Sequence, residues 1–143
     1  MVFQGKEVKE KGSLENIQVI ALVGPSGTGK SHRAMAVAQE WGCDALIDDG
    51  LLIAGSRILA GRSAKREETR TAAIRRAIFS TPGHVLEVRD ALEDLSPSRI
   101  LILGTSMTMV DRIASRLGLP RPMEYINIKD LATSEEIDWA LWQ

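Results

Sequence analysis

Apolar and polar positions along the chain follow two kinds of spacing. Nearly continuous apolar runs predict strands covered on both faces of a parallel sheet, at 17–23, 45–48 and 99–105, with a fourth strand at 125–128. Apolar residues recur at helical spacing over 30–41, 64–79, 82–95 and 106–117. Strands that alternate with helices predict an α/β fold of three layers, with a small, mainly parallel sheet flanked by helices.

Local signals refine this pattern. Two apolar triplets, 51–53 and 57–59, are joined by Gly55 and Ser56, and glycine at the first central position suits a type II′ turn. We therefore expect a small β-hairpin that projects from the sheet. Ser63 is expected to cap the helix at 64–79, and the residues 133–136 form a capping box for a last helix.

Composition indicates one globular domain, residues 1–143, in which 44% of residues are apolar and 26% charged. Residues 1–16 are expected to be a solvated, flexible lead-in, in which Val2 and Phe3 could form a short strand. The net charge of −1 provides no overall attraction to nucleic acid or membranes, and the single cysteine, Cys43, excludes an internal disulfide. Without a signal-peptide-like or membrane-spanning apolar run, the sequence predicts a cytoplasmic protein.

One segment carries a specific chemical signal. It follows the first strand, opens the first helix and matches G-x-x-x-x-G-K-[ST] throughout, a pattern that binds phosphate. The candidate nucleotide-binding residues are Gly24, Pro25, Ser26, Gly27, Thr28, Gly29, Lys30 and Ser31, together with the adjacent His32.

Each residue type in this motif has a physical reason. The glycines let the backbone adopt conformations closed to other residues, so that several amides can approach phosphate oxygens. The start of the helix adds partial positive charge. Lys30 is expected to reach the β- and γ-phosphates of a nucleotide, and the Ser31 hydroxyl to ligate Mg²⁺.

At these residues the chain resembles the P-loop NTPase superfamily. The stretches VGPSGTGKSHRA, LIDDGLLIAG, AGRSAKREETRTAAIRRAIF and ILILGTSMTMVDRIASRLGLP are similar to a family of small, uncharacterised bacterial ATP-binding proteins. The similarity covers most of residues 14–137. It implies a nucleotide-binding fold with ATP as the ligand, and it implies no established reaction.

A carboxylate is also needed near the metal. The strand at 99–105 ends in Thr105 and offers no acid, whereas the second strand ends in Asp48 and Asp49. The resemblance to small P-loop kinases implies that an acid here faces the phosphoryl acceptor or a metal-bound water. Both aspartates are candidate catalytic residues, and Ser31 and Asp48 are candidate Mg²⁺ ligands. The alternative is a polar turn at Asp48-Asp49-Gly50.

A basic segment follows, with seven basic and two acidic residues between positions 57 and 76. One hypothesis is that Arg62, Lys65 or Arg66 closes over transferred phosphate, with Arg66 as the candidate catalytic residue. The other is a solvated helix face paired with the acidic helix at 82–95, which we favour for Arg75 and Arg76.

Three further positions have simpler interpretations. Ser106, with Thr105, is expected to cap a helix rather than to contact phosphate. His84, in the first turn of its helix, is expected to be exposed. Cys43 is expected to fill space in the core.

Two functions remain open. One is Mg²⁺-dependent transfer of the ATP γ-phosphoryl group to a small molecule, or to water in ATP hydrolysis. The alternative is a non-catalytic nucleotide-binding module that signals to a protein partner, with homo-oligomerisation also open. A nucleic-acid partner is disfavoured because aromatic residues are only 4% of the chain.

Overall fold

In the computed structural model, which describes residues 13–131, the chain forms six strands and four α-helices. The strands are β1 (Gln18–Val23), β2 (Ala45–Asp48), β3 (Leu51–Ala54), β4 (Arg57–Gly61), β5 (Arg99–Gly104) and β6 (Glu124–Asn127). The helices are α1 (Lys30–Glu40), α2 (Arg70–Ala77), α3 (Pro82–Leu95) and α4 (Met107–Leu117).

The six strands form one sheet in the order β4-β3-β2-β5-β1-β6. β1 lies parallel to β5 and β6, and β2 lies parallel to β5. The pairs β2–β3 and β3–β4 are antiparallel. The fold is therefore α/β with a mostly parallel sheet, consistent with a P-loop-like architecture.

The interior positions of the central strands β1, β2 and β5 are apolar because helices cover both faces of the sheet there. In β1, Ile20 and Leu22 pack in a cluster that contains α1 residues, whereas Val19 and Ala21 pack in a second cluster with residues of α3 and α4. Successive side chains of a strand point to opposite faces, so a strand covered on both sides needs apolar residues at every position. The three-layer prediction is confirmed for the described residues.

The predicted hairpin exists, but it does not project from the sheet. β3 pairs with β2, and β4 extends the same sheet at its edge. Gly55 has φ of 63°, as a type II′ turn requires at its first central position. The prediction of projection was wrong because the turn after Asp48 folds β3 directly back along β2.

The helix predicted at 64–79 is two shorter elements. Ser63 caps a single 3₁₀ turn, Ala64–Arg66, after which Glu67 has extended backbone. A new helix, α2, starts where the Thr69 hydroxyl accepts a hydrogen bond from the amide of Ala72. Apolar periodicity alone predicts one continuous helix here, but the capping side chains of Ser63 and Thr69, six residues apart, each start a separate helical element.

The predicted strand at 125–128 ends one residue early. Residues 128–131 are helical, and the Asn127 side chain accepts a hydrogen bond from the amide of Lys129 at 2.9 Å. The predicted strand at Val2 and Phe3 and the predicted capping box at 133–136 lie outside the described residues. Within residues 13–131, no helix has the length and apolar character needed to cross a bilayer.

Candidate phosphate-binding site

The motif segment 24–31 forms the loop between β1 and α1 together with the first two residues of α1. Gly27 and Gly29 are exposed and have φ of 80° and 82°, a left-handed conformation that other residues rarely adopt. Gly24 is required for a different reason, because a Cβ there would overlap the side chain of Ile128. The loop therefore combines accessible amides with an anchor in the core.

The Lys30 ammonium lies against this loop. Its Nζ donates hydrogen bonds to the carbonyl oxygens of Gly24 and Pro25, at 2.6 and 3.0 Å. Partial burial lowers the pKa of Lys30, and the nearby Asp48 carboxylate opposes that shift. A lysine side chain thus lies beside the loop amides, at the start of a helix, which is an arrangement suited to a phosphate chain.

Ser31 and Asp48 form the second part of the site. The Ser31 hydroxyl donates a 2.6 Å hydrogen bond to Oδ2 of Asp48, across 17 positions of sequence. Ser31 is in the first turn of α1, and Asp48 is the last residue of β2. The fold therefore brings a hydroxyl and a carboxylate together beside the loop.

Asp49 has a different environment. Its Oδ2 accepts hydrogen bonds from the Ser63 hydroxyl at 2.8 Å and from the Lys65 amide at 3.1 Å. Its carbonyl accepts a hydrogen bond from the amide of Ala64 at 2.9 Å, and its φ is 57°. Asp49 thus holds the 3₁₀ turn against the end of β2, whereas Asp48 contacts the loop serine.

His84 is buried, so the prediction that it is exposed was wrong. Its ring stacks on Phe79 with centroids 4.2 Å apart, and its Nε2 lies 2.7 Å from the carbonyl oxygen of Gly50. Burial lowers the pKa of His84. The sequence contained the missed signal, since His84 lies four and eight residues before the buried Val88 and Leu92 and therefore shares their face of α3.

A cavity of about 760 Å³ opens beside the loop. It lies at the carboxyl ends of β1, β2 and β5, where open α/β sheets bind ligands. The motif and its neighbours contribute Ser26, Gly27, Gly29, Lys30, Ser31 and His32 to its walls. Asp48 and Asp49 line it as well, so the fold gathers most of the predicted site residues around one space.

The basic segment divides between this cavity and other contacts. Lys65 and Arg70 line the cavity, and Arg66 is exposed and is not among its lining residues. Arg62 lies 3.8 Å from Glu87 of α3, as the surface-pairing hypothesis expects. Arg76, for which we favoured pairing with the helix at 82–95, pairs instead with Glu67 of the basic segment at 3.1 Å. Sequence reasoning assigned no role to Arg70, because its place at the cavity depends on where α2 begins.

The end of β5 agrees with the simpler expectation for Ser106. Its hydroxyl accepts a hydrogen bond from the amide of Met109 and caps α4. The Thr105 hydroxyl and amide both lie 3.3 Å from the Met109 sulfur, and Thr105 and Met109 line the cavity. Sequence reasoning missed Met109 as part of the site because nothing local marks it.

Two curated relatives are similar to this chain, and both are named tRNA dimethylallyltransferase. The protein from Polaromonas sp. is 31% identical over 115 residues, which cover 80% of this chain and 30% of the relative. The protein from Bordetella petrii is 24% identical over 103 residues, which cover 71% of this chain and 29% of the relative. The chain thus spans less than a third of the length of either relative.

No protein-family model and no solved structure matches the chain. The narrower resemblance to small bacterial ATP-binding proteins therefore stays a prediction. The alignment with the Polaromonas protein includes 115 of the 143 residues of this chain.

Proposed function

We propose that the protein binds ATP with Mg²⁺ and transfers the γ-phosphoryl group to a small molecule or to water. The observation that carries this proposal is the contact between Ser31 and Asp48, at 2.6 Å, beside a complete phosphate-binding motif. A hydroxyl from the first turn of a helix and a strand-end carboxylate are the protein groups that a P-loop uses around Mg²⁺.

The loop binds the phosphate chain through its backbone amides and Lys30. The Lys30 Nζ bonds to two loop carbonyls, and these bonds exchange for bonds to β- and γ-phosphate oxygens when the nucleotide is present. A charge-assisted bond to phosphate is stronger than one to a neutral carbonyl, which favours the exchange. The lysine then neutralises charge that develops on the transferred group.

The donor set fits Mg²⁺. This ion takes oxygen ligands, keeps several waters, and needs only one or two protein groups in addition to substrate phosphates. Ser31 and Asp48 supply a hydroxyl and a carboxylate. A Mg²⁺ ion held by these two residues would supply charge neutralisation at the phosphate chain. Within residues 13–131, no group of three or more His, Cys, Asp or Glu side chains is arranged to hold a metal ion.

The reaction is a simple displacement. An oxygen of the acceptor or of water forms a bond to the γ-phosphorus while the bond to the β–γ bridging oxygen breaks, ADP leaves with that electron pair, and the acceptor's proton passes to solvent. Lys65 and Arg70 line the cavity and supply cationic charge near this centre. Of the three candidates that the sequence offered for closing over phosphate, Arg62, Lys65 and Arg66, Lys65 is the one that lines this cavity.

A second candidate is transfer of a dimethylallyl group to RNA, favoured by the similarity to two tRNA dimethylallyltransferases. An allylic group activated as a diphosphate would present a phosphate chain to the same loop, with its hydrocarbon in the cavity. Similarity to transferases also supports catalysis over the non-catalytic module.

The test is a pair of transfer assays on the purified protein. With γ-³²P-labelled ATP and Mg²⁺, we expect labelled phosphate or a labelled acceptor from a metabolite mixture. With labelled dimethylallyl diphosphate and tRNA, incorporation of label into RNA would instead favour the second candidate. Lys30→Ala should lower either activity by about 10²–10³-fold. Arg112→Ala, at an exposed position of α4, is the matched control. Unchanged turnover in Lys30→Ala would contradict the proposal.

A further inference from the structure

Helix α2 has an apolar face that is not packed in the core. None of the residues of α2 is buried. Its residues Ala73, Ile74 and Ala77, with Ile78 just after it, nevertheless lie at helical spacing and line the cavity. Such a face normally packs against the core of a protein. In this protein it faces the space beside the phosphate-binding loop.

Other parts of the cavity wall are also apolar. Leu103, near the end of β5, and Met109, in the first turn of α4, line it as well. The cavity extends from the loop towards the ends of β5 and β2, and no residue of β6 is among those that line it. It therefore lies to one side of the loop, with room beyond the phosphate-binding residues.

Two cationic side chains line the same space. Lys65 and Arg70 come from the two sides of the short connection between the 3₁₀ turn and α2. The backbone of Lys65 is fixed because its amide donates to Asp49 Oδ2 at 3.1 Å. The cavity thus combines an apolar wall with positive charge, which complements a ligand that has both an apolar body and an anionic group.

We propose that this cavity is the acceptor subsite and that the acceptor is a small molecule with an apolar body and an anionic group. The apolar body packs between α2 and Met109, and the anionic group meets Lys65 and Arg70. The inference rests on the proposed ATP-dependent transfer. It adds the chemical class of the acceptor and gives α2 a role that packing in the core does not supply.

The experiment uses 8-anilinonaphthalene-1-sulfonate, whose rings and sulfonate match both requirements, as a fluorescent probe. The protein is first saturated with Mg²⁺ and AMP-PNP, so that the loop holds a nucleotide, and the probe is then titrated. We expect saturable binding that AMP-PNP does not prevent. Ala77→Glu adds bulk and negative charge to the cavity wall. It should lower the affinity for the probe by about tenfold, or ~1.4 kcal/mol.

Variants separate the two halves of the subsite. Arg70→Ala should also lower the affinity for the probe several-fold. Thr71→Glu, at an exposed position of α2 outside the cavity lining, should leave the affinity for the probe unchanged. Circular dichroism of Ala77→Glu and Thr71→Glu compares the effect of the same added charge on the helix.

The contrary results are equally specific. Displacement of the probe by AMP-PNP, or equal affinity in Ala77→Glu and Thr71→Glu, would overturn the acceptor subsite. Binding of AMP-PNP is measured separately by calorimetry. If AMP-PNP fails to bind while the probe still discriminates between the two variants, the proposed function falls and the cavity remains a site for amphipathic anions.

Discussion

The Ser31 hydroxyl donates a 2.6 Å hydrogen bond to the Asp48 carboxylate, which joins the start of α1 to the end of β2. The adjacent Asp49 instead binds Ser63 and the amide of Lys65. Two neighbouring aspartates in one turn therefore have separate tasks. Asp48 contacts the serine that follows the candidate phosphate-binding loop, and Asp49 holds the turn that positions Lys65.

This division predicts opposite effects of two substitutions. Asp48→Asn should raise the Mg²⁺ concentration needed for half-maximal activity about 10–100-fold, because it removes the charge of the proposed ligand. Asp49→Ala should leave that concentration nearly unchanged and lower the free energy of unfolding by about 1–3 kcal/mol, since two donors lose their acceptor.

Mg²⁺ titrations of activity and urea unfolding measure the two effects. If Asp49→Ala shifts the Mg²⁺ requirement as much as Asp48→Asn does, the division between the two aspartates is incorrect.

His84 predicts a pH dependence of stability. Burial lowers its pKa in the folded protein from the ordinary value of 6.5, so the unfolded chain binds a proton more readily. The contribution of His84 to the free energy of unfolding is therefore complete above about pH 6.5. It is lost as the pH falls from 6.5 towards the lowered pKa of His84 in the folded protein. Urea midpoints at pH 8.0, 6.5 and 5.5 test this for the wild-type protein.

His84→Phe provides the comparison. It keeps an aromatic ring against Phe79 and loses the hydrogen bond to Gly50, so it should cost about 0.5–1.5 kcal/mol at pH 8. It should also flatten the pH dependence between 6.5 and 5.5. An equal loss of stability over that range in both proteins would exclude His84 as its source.

The close approach of Gly24 to Ile128 predicts that a second substitution restores part of the stability and nucleotide binding that the first one loses. A Cβ at position 24 would overlap Ile128, so Gly24→Ala should shift the loop, weaken nucleotide binding and destabilise the fold by about 1–3 kcal/mol. Ile128→Ala removes the atom that the new Cβ meets first and should recover part of both losses in the double variant. Calorimetry of ATP binding and thermal unfolding of the single and double variants measure this coupling. Purely additive losses would contradict it.

Helix α2 predicts a change in hydrogen exchange. Since none of its residues is buried, its amides should exchange faster than those of α4, which has four buried residues. Saturation with AMP-PNP and the naphthalene probe should slow exchange across α2 and leave α4 unchanged. Mass spectrometry of peptides covering 70–77 and 107–117 measures both. Slow exchange in α2 without ligand would mean that its apolar face is already covered.

The sequence alone predicted the alternation of strands and helices because apolar spacing records how many faces of an element are covered. It also predicted the glycine-rich loop between β1 and α1, since the backbone of that loop requires particular residues at fixed local spacing. Capping of α4 by Ser106 and the type II′ turn at Gly55 were predictable for the same reason.

Only the tertiary structure distinguished the role of Asp48 from that of Asp49 and showed that His84 is buried. It also showed that Lys65 and Arg70, rather than Arg66, line the cavity. These outcomes depend on which chain segments meet across the carboxyl ends of the strands. Local periodicity fixes the face of a helix or strand, but it does not specify what that face meets, because the partners are distant in sequence.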